Sequence, residues 1–159
     1  PKQWGTLVYV HKSLKAHQPY TTAEIPCDVL KIAGRNRQSI VLVNCYRPCN
    51  STNEWLTKMR NILNQLHEDY PSSVIICSGD FNIDVSTASN TSAEYKALFH
   101  EFNFNNLIEK PTSVTATTKT CLDHFWVSDI NIVSDIRTYT GVADHFVIAA
   151  AINCKPDYA

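Results

Sequence analysis

A chain of 159 residues, 44% apolar and 18% charged, has room for one domain with a real core and lacks the charge excess of a disordered segment. Its formal charge of -1 carries no polyelectrolyte signature, so any basic surface for nucleic acid has to be local. No apolar run approaches the roughly 18 residues of a spanning helix, which argues against a membrane partner.

The opening "PKQWGTLVYV" shows no basic n-region and no apolar h-region, so a secreted protein is not expected. Leu7-Val8-Tyr9-Val10 reads as a strand, and a chain that opens on a core strand reads as a fragment. After the polar stretch Lys12 to Glu24, a strand is expected near Cys27 to Ala33. The turn "AGRNRQS" follows, then the β-branched run "SIVLVNCY" ending at Tyr46-Arg47-Pro48, a pattern for an antiparallel hairpin. The segment "NSTNEWLTKMRNILNQLHEDYP" predicts a helix. Trp55, Leu56, Met59, Ile62, Leu63, Leu66 and Tyr70 fall on one face, Ser51 and Glu54 have capping-box spacing, and Pro71 stops it.

Val74-Ile75-Ile76-Cys77 then reads as a strand buried on both faces. A second helix fits "SAEYKALFHEFN", with Tyr95, Leu98, Phe99 and Phe102 sharing a face. "NNLIEKP", "CLDHFWVS", "NIVSDIRTYT" and "DHFVIAAAIN" read as four short strands, and the Ser/Thr-rich "TSVTATTKT" as a loop. Helices interleaved with strands that include a hairpin predict a mixed α/β (α+β) layered domain. The cysteines at 27, 45, 49, 77, 121 and 154 form no CxxC pair and no zinc-ligand spacing, so free thiols in a reducing compartment are expected.

The stretch "VIICSGDFNIDVS" ends an apolar run in a glycine, two aspartates and an asparagine. Carboxyl ends of strands in α/β folds collect ligands and catalytic groups, which makes Asp80 and Asn82 candidates. Gly, Asp and Asn are equally the residues of an ordinary polar turn. Two further acids close strand-like segments, in Asp123-His124 and Asp144-His145. Carboxylates hold a hard cation such as Mg²⁺, an imidazole donates to a phosphoryl oxygen, and a neighbouring carboxylate fixes its tautomer.

The blocks "NCYRP" (Asn44 to Pro48), "GDFNID" (Gly79 to Asp84), "LIEKPTSVT" (Leu107 to Thr115), "LDHFWVS" (Leu122 to Ser128) and "ADHFVI" (Ala143 to Ile148) stand in one order along nearly the whole chain. In them the chain resembles the endonuclease/exonuclease/phosphatase superfamily, and within it the apurinic-like endonuclease domain of non-LTR (LINE-type) retrotransposons. The resemblance implies a DNase I-like layered β-sandwich of two mixed sheets flanked by helices. It also implies roles by position. Asp80 would align and help deprotonate the attacking water, Asn82 would hold that water and the phosphate, and Tyr46 would hydrogen-bond the scissile phosphate. His145 would stabilise phosphoryl charge and Asp123 would orient it. Asp144 would join the metal-binding carboxylates, and Arg47 and Thr115 would contact the DNA backbone. His124 and Asp84 read as structural.

The implied cofactor is Mg²⁺, with Mn²⁺ as a substitute. The implied partners are DNA and a downstream reverse transcriptase domain of the same polyprotein, acting in the nucleus. Two departures stand out. Ala143 occupies a position that the family fills with serine, and the family's early Asn and metal-binding Glu have no counterpart. Residues 1–159 therefore read as one partial domain, about the C-terminal two-thirds. The alternatives are another phosphodiesterase or phosphatase of the superfamily, and a catalytically dead DNA-binding or interaction module.

Overall fold

The computed structural model describes residues 5–19, 21–22, 24–35, 38–141 and 143–158. Two short strands, β1 (Ala16–His17) and β2 (Thr21–Thr22), pair with β3 (Cys27–Ala33), which forms an antiparallel hairpin with β4 (Ser39–Tyr46). The tip of that turn, 36–37, lies outside the described residues. Helix α1 (Glu54–Asp69) then carries the chain back across the sheet to β5 (Val74–Asp80), which pairs with β4 in parallel. That crossover is what a parallel pair requires.

Helix α2 (Asn90–Glu101) leads to β6 (Asn105–Asn106), followed by a small hairpin of β7 (Ser113–Val114) and β8 (Lys119–Thr120). Strand β9 (Asp123–Val127) enters between β5 and β6, antiparallel to both. The chain closes in an antiparallel ribbon of β10 (Val133–Tyr139) and β11 (Val147–Ile152).

The main sheet is mixed and seven-stranded, with the path β1-β3-β4-β5-β9-β6. Side chains alternate across it. Val41, Val43, Cys45, Ile75, Cys77 and Trp126 point to the helices, where Met59, Leu63, Leu66, Tyr95 and Phe99 complete one core. Ile40, Ile76, Phe125 and Val127 point the other way, under Ile136, Ile148, Ala150 and Ile152 of the ribbon. The expected layered α/β architecture is present. Among the described residues its second layer is a two-stranded antiparallel ribbon rather than a full mixed sheet.

Three local expectations are corrected. Leu7 to Val10 forms no strand, and Leu7 and Tyr9 are 69% and 89% exposed. The segment is held by single contacts, such as Asn44 Nδ2 donating to the Leu7 carbonyl at 3.3 Å, with no ladder partner. Ser51 does not cap α1. Its hydroxyl donates to the Pro48 carbonyl at 2.7 Å, and the N-cap position falls to Asn53, whose side chain makes no capping bond. "TSVTATTKT" contains the β7–β8 hairpin, whose two-residue strands are too short to show a period. None of the six cysteines forms a disulfide.

Candidate active site

The segment from Gly79 to Asp84 sends successive side chains to different places. Phe81 and Ile83 are buried in the helix-side core, where Phe81 meets Trp55, Tyr95, Phe99 and His124. Asp80 points to the ribbon side, at the level of Tyr46 on β4 and Asp123 on β9. Gly79 has φ +142°, and a Cβ there would stand 1.9 Å from the Cys45 carbonyl oxygen, so only glycine lets β5 approach β4 at this point. Asn82 has φ +48°, a left-handed conformation that asparagine tolerates better than most residues.

That bend folds Asn82 back on Asp80. The Asn82 backbone N–H donates to Asp80 Oδ1 at 2.9 Å, and Asn82 Nδ2 donates to Asp80 Oδ2 at 3.2 Å. Partial burial pushes the Asp80 carboxyl above its ordinary value, opposed by the Asn82 N–H and reinforced by the Asp123 charge. Burial, and after it the Asp80 carboxylate, raises the Tyr46 phenol, against a hydrogen bond with Asn82.

The ribbon delivers the remaining group. His145 lies in the loop between β10 and β11, and its Nδ1–H donates to Asp123 Oδ2 at 2.8 Å, which leaves Nε2 as the free nitrogen for a reacting group. Burial alone would lower the imidazole. The hydrogen bond and charge of Asp123, with Asp80 and Asp144 behind them, raise it instead. Ligand atoms of Asp80, Asp123 and His145 lie within 4.8 Å of one another. Two carboxylates with an imidazole suit an oxygen-preferring divalent cation that keeps several waters.

Asp144 stands outside that cluster. It is exposed, and its backbone carbonyl accepts the Val114 N–H at 2.8 Å. Thr115 is likewise exposed, its hydroxyl closing the β7–β8 turn on Thr118 at 2.7 Å. Arg47 is turned inwards, only 6% exposed, with Nη2 donating to the Ser51 carbonyl at 2.9 Å and the guanidinium 5.8 Å over the Trp55 ring. His124 is fully buried between Tyr95 and the Cys121 carbonyl, and Asp84 accepts bonds from Ser86, Thr87 and the Cys121 N–H.

Thr112 has no place among the residues expected from sequence. It is fully buried, and its hydroxyl oxygen accepts both the Leu122 and Asp123 N–H groups, at 3.0 and 2.9 Å. Its carbonyl takes the Phe146 N–H at 2.7 Å, so one residue ties the Asp123 strand to the His145 loop. Its only sequence signal is a threonine directly after Pro111, which reads as loop chemistry. A cleft of about 420 Å³ between 107–110 and 136–139 is lined by none of the candidate residues. The site itself stands at the end of the main sheet where β4, β5 and β9 meet at Tyr46, Asp80 and Asp123.

The solved structures with this fold include the endonuclease domain of TRAS1, a telomere-specific non-LTR retrotransposon. It matches at a TM-score of 0.69 and 16% identity, over 88% of this chain and 68% of that one. An endonuclease/exonuclease/phosphatase family protein from Leptotrichia buccalis matches at 0.59 and 20%, over 79% and 53%. D. rerio TDP2 complexed with a single-strand DNA product matches at 0.56 and 14%, over 87% and 67%. At such identities the likeness establishes the fold. The chain spans about two-thirds of the first and third of these structures and about half of the second. Comparison with curated proteins gives no match. The sequence model of the endonuclease-reverse transcriptase family covers residues 40–149, from the start of β4 to the middle of β11. On that match this chain belongs to the endonuclease-reverse transcriptase family.

Proposed function

We propose that this chain carries the nicking site of an Mg²⁺-dependent DNA endonuclease, one partial domain of a longer polyprotein with a downstream reverse transcriptase, acting in the nucleus. The observation that supports this best is the convergence of the Asp80–Asn82 turn and the Asp123–His145 pair at one end of the sheet. Asp80, raised by burial, accepts a proton from water positioned by the Asn82 amide. The hydroxide attacks phosphorus in line, the bond from phosphorus to the 3′ oxygen breaks, that oxygen takes up a proton from solvent, and the products are a 3′-hydroxyl and a 5′-phosphate. His145, oriented by Asp123, donates from Nε2 to a non-bridging oxygen as charge builds there. Tyr46 hydrogen-bonds the same phosphate from the β4 side. Asp144, next to His145 in the chain and outside the Asp80–Asp123–His145 cluster, would join the carboxylates that hold Mg²⁺, which would supply charge neutralisation at the phosphate and the leaving oxygen. In a retrotransposon the 3′-hydroxyl at the nick would prime reverse transcription.

Nicking of supercoiled plasmid in Mg²⁺ tests the proposal, with circular dichroism to establish folding. Asp80→Ala is expected to lower the rate by at least about 100-fold while leaving the fold intact. A folded wild-type chain that leaves plasmid untouched, yet shifts duplex DNA in a gel, would overturn the enzyme assignment for this chain in favour of a binding module.

A further inference from the structure

A cation following Tyr46 invites assignment to a DNA phosphate, but the structure gives Arg47 different work. Its backbone N–H donates to the Asp80 carbonyl at 2.8 Å, extending the β4–β5 ladder one residue past the strand. Its backbone carbonyl accepts Asn82 Nδ2 at 2.8 Å. Its side chain reaches the same turn from the other side, with Nη1 at 3.5 Å from the Asn82 carbonyl and Nη2 at 2.9 Å from the Ser51 carbonyl. The guanidinium lies over Trp55, in the first turn of α1. Main chain and side chain of one residue thus grip Asn82 at both its amide and its carbonyl.

Asn82 needs such a grip. A left-handed backbone is a local minimum of higher energy for a residue with a Cβ, and it persists only where its surroundings enforce it. The amide that it aims at Asp80 swings away if the backbone relaxes. The Arg47 guanidinium is buried with no carboxylate in hydrogen-bond contact among the described residues, and its Nε has no hydrogen-bond partner there. A buried cation held this sparsely is retained at an energetic cost, which points to a specific geometric task. A planar fork that spans two carbonyls while lying over an indole does what an ammonium cannot.

We infer that Arg47 is a positioning residue, which ties the N-terminal end of α1 to the catalytic turn and so holds the Asn82 side chain against Asp80. Its importance for nicking rests on the function proposed above, whereas the grip on Asn82 does not.

The first readout is the Asn82 side-chain amide in ¹⁵N NMR spectra of the chain without DNA. In wild type its two protons are expected well dispersed and slow to exchange, and in Arg47→Met and Arg47→Lys they move to the shifts of exposed asparagines. Dispersed Asn82 signals in both folded variants would overturn the inference. If Arg47→Met fails to fold, Arg47→Lys, which keeps the stem and the charge, decides alone.

The second readout separates positioning from phosphate contact. A lost phosphate contact would flatten the plot of log affinity against log salt by about 0.9 for Arg47→Met, with recovery in Arg47→Lys. Positioning leaves the slope unchanged and lowers kcat about 10- to 100-fold in both variants at constant KM. A wild-type chain that never nicks plasmid counts against the proposed function, while the Asn82 signals still decide the role of Arg47.

Discussion

Six consecutive residues, Gly79 to Asp84, show how much a single polar segment has to do at the end of a buried strand. Gly79 makes room for the Cys45 carbonyl, Asp80 faces the site, Phe81 and Ile83 anchor in the core, and Asn82 turns the chain back. Asp84 is pulled up by burial, yet bonds from Ser86, Thr87 and the Cys121 N–H outweigh this and hold it at about 2. Gly79→Ala would combine a positive φ with a Cβ against a carbonyl, and is expected to lower stability by at least about 2 kcal/mol in urea titrations. An unchanged midpoint would show that β5 can retreat from β4. At this scale the sequence was readable for where Asp80 and Asn82 stand, because an apolar run ending in Gly-Asp-Phe-Asn predicts a buried strand and the polar turn at its carboxyl end. Arg47 and Thr112 were not readable so, because their parts depend on burial. A charge reads as exposed and a threonine after proline reads as loop until the packing is seen.

Elements with a period were legible, and elements that depend on a partner were not. The stripe on α1 falls as its spacing predicts, with Trp55, Met59, Ile62, Leu63 and Leu66 buried and Pro71 beyond its end. On α2 the N-cap is Ser89, which accepts the Ser92 N–H. The helix is closed by Asn103 at φ +60° and a bond from the Phe104 N–H to the Phe99 carbonyl. Leu7-Val8-Tyr9-Val10 has as good a strand composition as "SIVLVNCY", but a strand exists only where a neighbour takes its ladder. The two leucines on either side of that distinction make a test. Leu66→Ala, in a fully buried site, is expected to cost about 2–5 kcal/mol, and Leu7→Ala less than about 0.5 kcal/mol, by chemical denaturation. A large effect at Leu7 would mean that the segment is packed after all.

Across the whole molecule, the layers meet at β9, whose side chains alternate between the site, the helix core and the ribbon core. His124 is the polar member on the helix side. Tyr95 Oη accepts the Trp126 indole N–H at 2.8 Å and donates to His124 Nδ1 at 2.7 Å, while Nε2–H donates to the Cys121 carbonyl at 3.0 Å. Burial lowers the imidazole to about 4, partly countered by the Cys121 bond and the Asp84 charge and assisted by Lys96. The folded state therefore binds a proton less readily than the unfolded one. Stability is full above the ordinary value of 6.5 and falls as the pH drops from there towards 4, by about 3 kcal/mol in total. Urea midpoints between pH 7 and 4.5 check this, and a flat profile would exclude His124 as an acid trigger. Protonation would leave two N–H groups facing a hydroxyl whose own proton has nowhere else to go.

The crowding of the Gly79–Asp84 segment has a consequence for descent. Each of its residues answers to a different neighbour, so few replacements satisfy any one of them, whereas the exposed faces of both helices answer to water and to a few surface ion pairs such as Lys58–Glu54. A lineage copied with errors would erase the helix surfaces first and this hexapeptide last.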